Sequence, residues 1–310
     1  MSLVVKSPGM LSLIQDAGRF GYHNIGLTSG GPLDSEAFYW ANRLLDNPTN
    51  AAMIELTVGG LTLQAQRDTV IAVTGAEVEV KLDNEPVCQW QGVAVARGQT
   101  IAFGFAQKGC RIYIAVAGGL AIRQSFGSVS TVVREGIGGL NGDKLAAEDI
   151  LPIHEVEAPK LRSLAKADRP NYSKSVVLRV VLGYQQDQFS DLQKAILFSR
   201  PYKVTANYDR MGYRLEGDSI APASDGILSE GICLGAIQVP ADGQPIILIN
   251  DRQTIGGYPK IGSVIGLDIF KLTQLMAGDE VHFTPVSIEQ AHNEIHLASH
   301  RRQTVILSDL

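Results

Sequence analysis

Asp251, Arg252, Gln253, Thr254, Tyr258 and Lys260 crowd one short stretch directly after the apolar run Pro245–Ile249. A strand that ends in so many donors, acceptors and titratable groups delivers them to a cleft, because sites are built on loops held by a rigid scaffold. Gly256 and Gly257 open backbone angles closed to other residues, and Pro259 stiffens the chain just before Lys260. Chemistry at a carbonyl develops negative charge on oxygen and needs donors aimed at it; Lys260, Arg210, Tyr258 and the amides of Gly256 and Gly257 are candidates. These loops hold no histidine, so Asp251 or Asp209 is the candidate base. Asn207 and Gln238 could orient an amide-like substrate through paired hydrogen bonds, with Thr254 beside them.

Each residue also has a plainer reading. Asp251 could cap the turn after its strand, and Lys260 could be a solvated surface charge. Asp209-Arg210 could be a turn carrying an ion pair of small worth. Glu230, at a strand entry, could be a structural acceptor.

The elements that must position these groups read as mainly β. Runs rich in Val, Ile and Leu recur at 61–64, 69–73, 78–82, 93–96, 100–103 and 111–116, separated by Gly, Asn or Asp turns, as in an antiparallel sandwich or barrel. Helical periodicity is confined to 34–45, where Asp34 can cap the N-terminus, to 190–198 with Ser190 as cap, and to a polar segment at 288–295. The chain's 310 residues suit two domains. The stretch 156–174 has alternating charge and no sustained strand pattern, and reads as a linker between domains at 1–155 and 175–310.

Two gapless offsets relate the halves: Glu55, Gly60 and Ile71 fall on Glu230, Gly235 and Ile246, and RGQTIAF falls on AGDEVHF, pairing Gly98 with Gly278. This predicts two similar β domains in tandem with a ligand groove between them. Its lining in the first half would be the loops 15–22 and 26–34, with Ser29 and Gly30 among the substrate contacts.

A formal charge of −5 gives no reason to expect nucleic acid, and no apolar run approaches the roughly 20 residues of a membrane helix. Cys88, Cys110 and Cys233 are scattered among apolar neighbours and read as buried thiols of a cytoplasmic protein. His292, His296 and His300 share a helical spacing but no carboxylate motif accompanies them, so no metal is expected. No Gly-rich phosphate loop opens a helix and no biotinyl-lysine motif is present; ATP and biotin are therefore expected on other chains.

The ordered blocks QDAGRFGY, SGGPLD, ANRLLDN, IELTVGG, VTGA, RIYIAVAGG, FGSVST, DRMGYRLEG, GAIQVPADGQPIIL and DRQTIGGYPKIG span nearly the whole chain. They resemble the family of the 5-oxoprolinase C component, also called allophanate hydrolase subunit 2 or the biotin-dependent carboxyltransferase domain. The resemblance implies two tandem cyclophilin-like β-barrel domains. It further implies partners, a kinase-inhibitor-like B component and an A component of 5-oxoprolinase, that together open the lactam of 5-oxoproline using ATP. Similar domains of urea carboxylases move a carboxyl group from carboxybiotin carried elsewhere, and some bacterial relatives bind and sequester a kinase inhibitor. Where the family pattern G-S-R-S-T is expected, this chain has Gly127-Ser128-Val129-Ser130-Thr131, without the basic side chain.

Overall fold

A computed structural model describes residues 2–157, 160–224 and 226–310. The chain divides into two compact units: the first takes the N-terminus to Tyr22, Ser29–Tyr172 and Ile306–Leu310, and the second takes His23–Thr28 and Ser173–Val305. Residues 158–159, inside the stretch read as a linker, lie outside the described residues. Its remainder up to Tyr172 belongs to the first unit. Strand Arg162–Ser163 pairs with Ser308–Asp309, Leu164 donates its N–H to Trp90 O (3.0 Å), and the Tyr172 hydroxyl donates to Asp34 Oδ2 (2.7 Å).

In the first unit the strands form two antiparallel sheets over one core. One runs in the order Ile150–Pro152, Ser2–Pro8, Leu61–Ala65, Thr100–Phe103, Val80–Leu82 and Glu85–Val87; the other Leu11–Gln15, Met53–Thr57, Lys108–Val116, Thr69–Glu77 and Gly92–Val95. Alternation sets the faces: Leu61, Leu63 and Ala65 are buried while Thr62 and Gln64 turn outward. They meet Ile54, Leu56, Ile71, Ile112 and Ile114 of the other sheet in a single apolar cluster. Helix α1 (Ser35–Leu44) is capped as its sequence predicts, with Ala37 N donating to Asp34 Oδ1 at 2.9 Å.

In the second unit the sheet closes. Strands Ser175–Leu182, Lys260–Val264, Ala236–Gln238, Ile246–Leu248, Gly212–Glu216, Tyr202–Tyr208 and Glu280–Pro285 form a seven-stranded barrel, sealed by a parallel pairing of its first and last members. Helix α2 (Asp191–Ser199) carries a capping box made by Ser190 and Gln193. Helix α3 (Gly266–Thr273) has no counterpart in the sequence reading, because eight residues of mostly apolar chain look the same as a strand. Helix α4 extends over Ile288–Thr304, well past the predicted end at 295; only Ala291 is buried, so the sequence offers no apolar face to follow. His292, His296 and His300 are exposed on it.

The thiols correct an expectation. Cys110 is buried, but Cys88 and Cys233 are exposed, since apolar neighbours in sequence do not decide which face of a short strand or turn a side chain takes.

The match of Gly98 with Gly278 has a physical basis. Gly98 N donates to Ala65 O (2.7 Å) and Ala65 N to Gln99 O (3.0 Å), while the Gln99 side chain receives Ala96 N (2.7 Å). Gly278, Val204, Asp279 and Met276 repeat this pattern at 2.8, 2.9 and 2.9 Å. A third copy uses Glu148, Val5, Asp149 and Ala146. The pivot has φ of 90°, 92° and 67° respectively, a region where glycine is at ease and Glu148 is strained.

Asp268 of α3 is fully buried and receives Arg179 through N, Nε and Nη2, each at 2.8 Å, and Lys271 Nζ at 2.7 Å. Burial pushes its carboxyl up, but Arg179 and Lys271 outweigh burial and hold it below the usual range. A depressed carboxylate contributes stability above its unfolded value, about 3.9, and loses it as pH falls through the folded value. Asp268→Asn is therefore expected to cost about 3 kcal/mol at neutral pH, by removing one partner of a buried pair. In urea titrations the deficit relative to wild type should shrink as the pH is lowered below about 4.

Candidate functional site

The predicted loop is clamped at its start by a buried ion pair. Arg210 donates Nε to Asp251 Oδ2 (2.8 Å) and Nη2 to Oδ1 (3.0 Å), and Asp251 N donates to Arg210 O (2.8 Å). Both side chains are nearly excluded from solvent, and a two-pronged pair of this kind fixes orientation as well as charge. Arg210 thus pairs with Asp251, just past the end of the neighbouring strand, and not with its sequence neighbour Asp209. Asp209 instead receives Met211 N (2.7 Å) and Gly212 N (3.2 Å), closing an exposed turn. Arg252 is buried as well, donating Nε to Ile232 O (3.0 Å) and Nη1 to Ile249 O (3.2 Å), and burial lowers its pKa.

The loop's end is clamped by a second pair. Glu230–Gly231 forms a two-residue ladder with Ile255–Gly256, which sets Glu230 opposite Gly256. Lys260 opens its strand opposite Gln238, where the register shifts. Its ammonium donates to Glu230 Oε1, with the side chains 11% and 30% exposed. Gln185 ties both together: its Nε2 donates to Glu230 Oε1 (2.6 Å) and its Oε1 receives Lys260 N (2.8 Å). The Tyr184 hydroxyl receives Gln185 Nε2 as well (3.3 Å). Gln238 Nε2 is buried against Gly256 and meets no hydrogen-bond partner among the described residues. A Cβ on Gly256 would come within 2.6 Å of that nitrogen, so glycine leaves the amide its room.

Lys260, Gln238 and Gly256 therefore converge, joined by Glu230 and by two residues the sequence reading missed, Tyr184 and Gln185. The available signal was the grammar of the main loop: a strand, here Ser175–Leu182, then Gly183 and a polar run. Thr254 contributes its carbonyl to Ile232 N (3.1 Å), and Gly257 O receives Ile227 N (2.8 Å). Tyr258 is exposed, and Asn207 is exposed on its strand with its N–H turned to Thr205 Oγ1 (3.2 Å).

Hydrogen bonding from Lys260, then from Tyr184, holds the Glu230 carboxyl below its usual range. The same bond to Glu230 raises the Tyr184 phenol above its ordinary value. The cluster thus presents an ammonium whose counter-charge is fixed and ionised at neutral pH.

Ser29 and Gly30 belong to the first unit, where they support a buried polar network. Ser29 O receives Arg19 N (2.6 Å), and a Cβ on Gly30 would press on Ser130 and Val132 at 3.1 Å. Asp16 collects Ser128 Oγ (2.5 Å), Ser130 Oγ (2.7 Å), Val129 N (2.9 Å) and Gly18 N (3.0 Å). Val129, standing where a basic residue was expected, buries its side chain in the apolar core.

Known proteins share this architecture. The profile of the carboxyltransferase domain, subdomain A and B, matches residues 25–285. The chain belongs to the carboxyltransferase domain family. This carboxyltransferase-domain chain is 36% identical over 289 residues to the C component of 5-oxoprolinase from Escherichia coli, covering 91% of each protein. It is 37% identical to the corresponding 5-oxoprolinase component of Haemophilus influenzae, covering 93% of this chain and 94% of that protein. The crystal structure of the K. lactis urea amidolyase matches 98% of the chain with a TM-score of 0.93 at 28% identity, using 20% of that longer protein.

Glu230→Gln is expected to return the Tyr184 phenol toward its ordinary value, because the carboxylate that holds its proton is gone. Ultraviolet titration should then show one tyrosine ionising at lower pH than in wild type, and an unchanged titration curve would remove Tyr184 from the cluster.

Proposed function

We propose that this chain is the C component of an ATP-dependent 5-oxoprolinase, acting with the A and B components to open 5-oxoproline to glutamate. The observation that carries the reading is the end-to-end match to two proteins of that name, with coverage above nine-tenths on both sides. ATP is spent on the partner components, and water adds across the lactam C–N bond, giving one carboxylate and one amine.

The convergence of Lys260, Gln238 and Gly256 supports this chemistry. The lactam carbonyl oxygen becomes an oxyanion as water attacks, and the Lys260 ammonium, oriented by Glu230, stabilises it. The Gln238 amide supplies a donor to the same carbonyl. Arg210 and Asp251 hold the loop that carries Thr254, Gly256, Gly257 and Tyr258. A second reading is transfer of a carboxyl group to urea or a related amide from carboxybiotin on another chain. It is favoured by the likeness to the K. lactis urea amidolyase.

The test is to purify the chain with its neighbouring gene products and to assay ATP-dependent conversion of 5-oxoproline to glutamate beside urea carboxylation. Lys260→Ala should leave assembly intact and lower turnover on the order of a hundredfold, as loss of an oxyanion donor does. Lys260→Arg should recover little, since a planar guanidinium does not replace a compact ammonium. Wild-type turnover by the alanine variant would return Lys260 to a structural role.

A further inference from the structure

The first unit carries a cleft of about 590 Å³ lined by Lys108, Lys166, Arg169, Glu77, Cys88 and Trp90, among others. Three cations face one carboxylate there, in a chain whose formal charge is −5. By contrast, Arg162, Arg179, Arg210, Arg214 and Lys260 each sit in an ion pair. Among the described residues, no carboxylate lies within ion-pair distance of Lys108, Lys166 or Arg169.

Neutral groups hold two of the three in place. Lys108 Nζ donates to Asn171 Oδ1 (2.9 Å), and Arg169 Nε donates to Leu164 O (3.0 Å), which leaves the rest of the guanidinium fork uncommitted. A single 3-10 turn at Lys166–Asp168 sets Lys166 and Arg169 one turn apart, and Arg169 N donates to Lys166 O (3.3 Å). Partial burial lowers the Arg169 pKa. An excess of positive charge in a concave wall draws the field toward an oppositely charged ligand.

We propose that this cleft binds a small dianion, held through carboxylate or phosphate oxygens by Lys108, Lys166 and Arg169. It lies within the first unit and does not rest on the oxoprolinase reading. Titration calorimetry of the full chain at low salt, with inorganic phosphate and separately with succinate, should give saturable binding of at least one; the preferred probe identifies the acid class. Arg169→Gln and Lys166→Gln should each weaken that binding about tenfold, the scale of one charged hydrogen bond. Both side chains reach solvent, and circular dichroism should confirm that the variants fold. In a Cys233→Ser background, Cys88 is the exposed thiol, and its alkylation by iodoacetamide should slow when the preferred probe saturates the cleft. Absence of saturable binding of either probe, binding unchanged by both substitutions, or Cys88 alkylation unaffected by the bound probe would each overturn the assignment.

Discussion

A lysine ammonium only 11% exposed is costly to bury without a counter-ion close by, and Glu230 provides it. The second unit's loop is arranged around this constraint. One end is fixed by Arg210 with Asp251 and the other by Lys260 with Glu230, so the glycines between are free to shape the backbone while the ends stay in register. Breaking one partner of a buried pair commonly costs about 3–5 kcal/mol, against about 0–1 for a surface pair. The Arg210–Asp251 pair therefore matters more to the loop than exposed pairs such as Lys6 with Glu148 matter to theirs. Gln185 joins the clamp to the strand Ser175–Leu182, so Lys260 is placed by the barrel and not by its own loop alone.

Buried carboxylates of the first unit collect neutral donors. Glu55 receives the Tyr113 hydroxyl (2.6 Å) and Leu33 N (2.9 Å), and the same hydroxyl receives Asp34 N (2.7 Å). Tyr172 completes the chain through Asp34. Burial first, then the neighbouring carboxylates, push both phenols well above their ordinary value, so they remain donors throughout the physiological range. Asp16 is likewise enclosed by two hydroxyls and two amides. These networks join distant segments of chain, and a partly satisfied one would be worse than an apolar core.

The strands and the helix caps were legible because they rest on local rules: alternation at 61–65, Asp34 before α1 and Ser190 before α2. The offset between Gly98 and Gly278 was legible for the same reason, since both occupy one turn that needs a positive φ. The third copy escaped because Glu148 holds that conformation without glycine. Glu55 and Glu230 show the limit of such matching: one is buried against a tyrosine, the other half-exposed against a lysine, and the aligned letters did not distinguish them. Which carboxylate pairs with which cation is a long-range fact. Asp209 adjoins Arg210 in sequence, yet the pair forms with Asp251, 41 residues away.

Pairing does not disqualify Lys260 from chemistry. An ammonium has three N–H donors on one compact centre, and Glu230 engages its charge from one side. Donors that remain can serve a carbonyl oxygen while the carboxylate keeps the side chain from sweeping solvent, so little reorganisation is needed as charge develops. Gln238 complements this from the facing strand, because its amide nitrogen is buried and without a partner among the described residues. A buried donor left unmet costs about 1–3 kcal/mol. The strand register sets Gln238 opposite Lys260, and Gly256 leaves the amide its space.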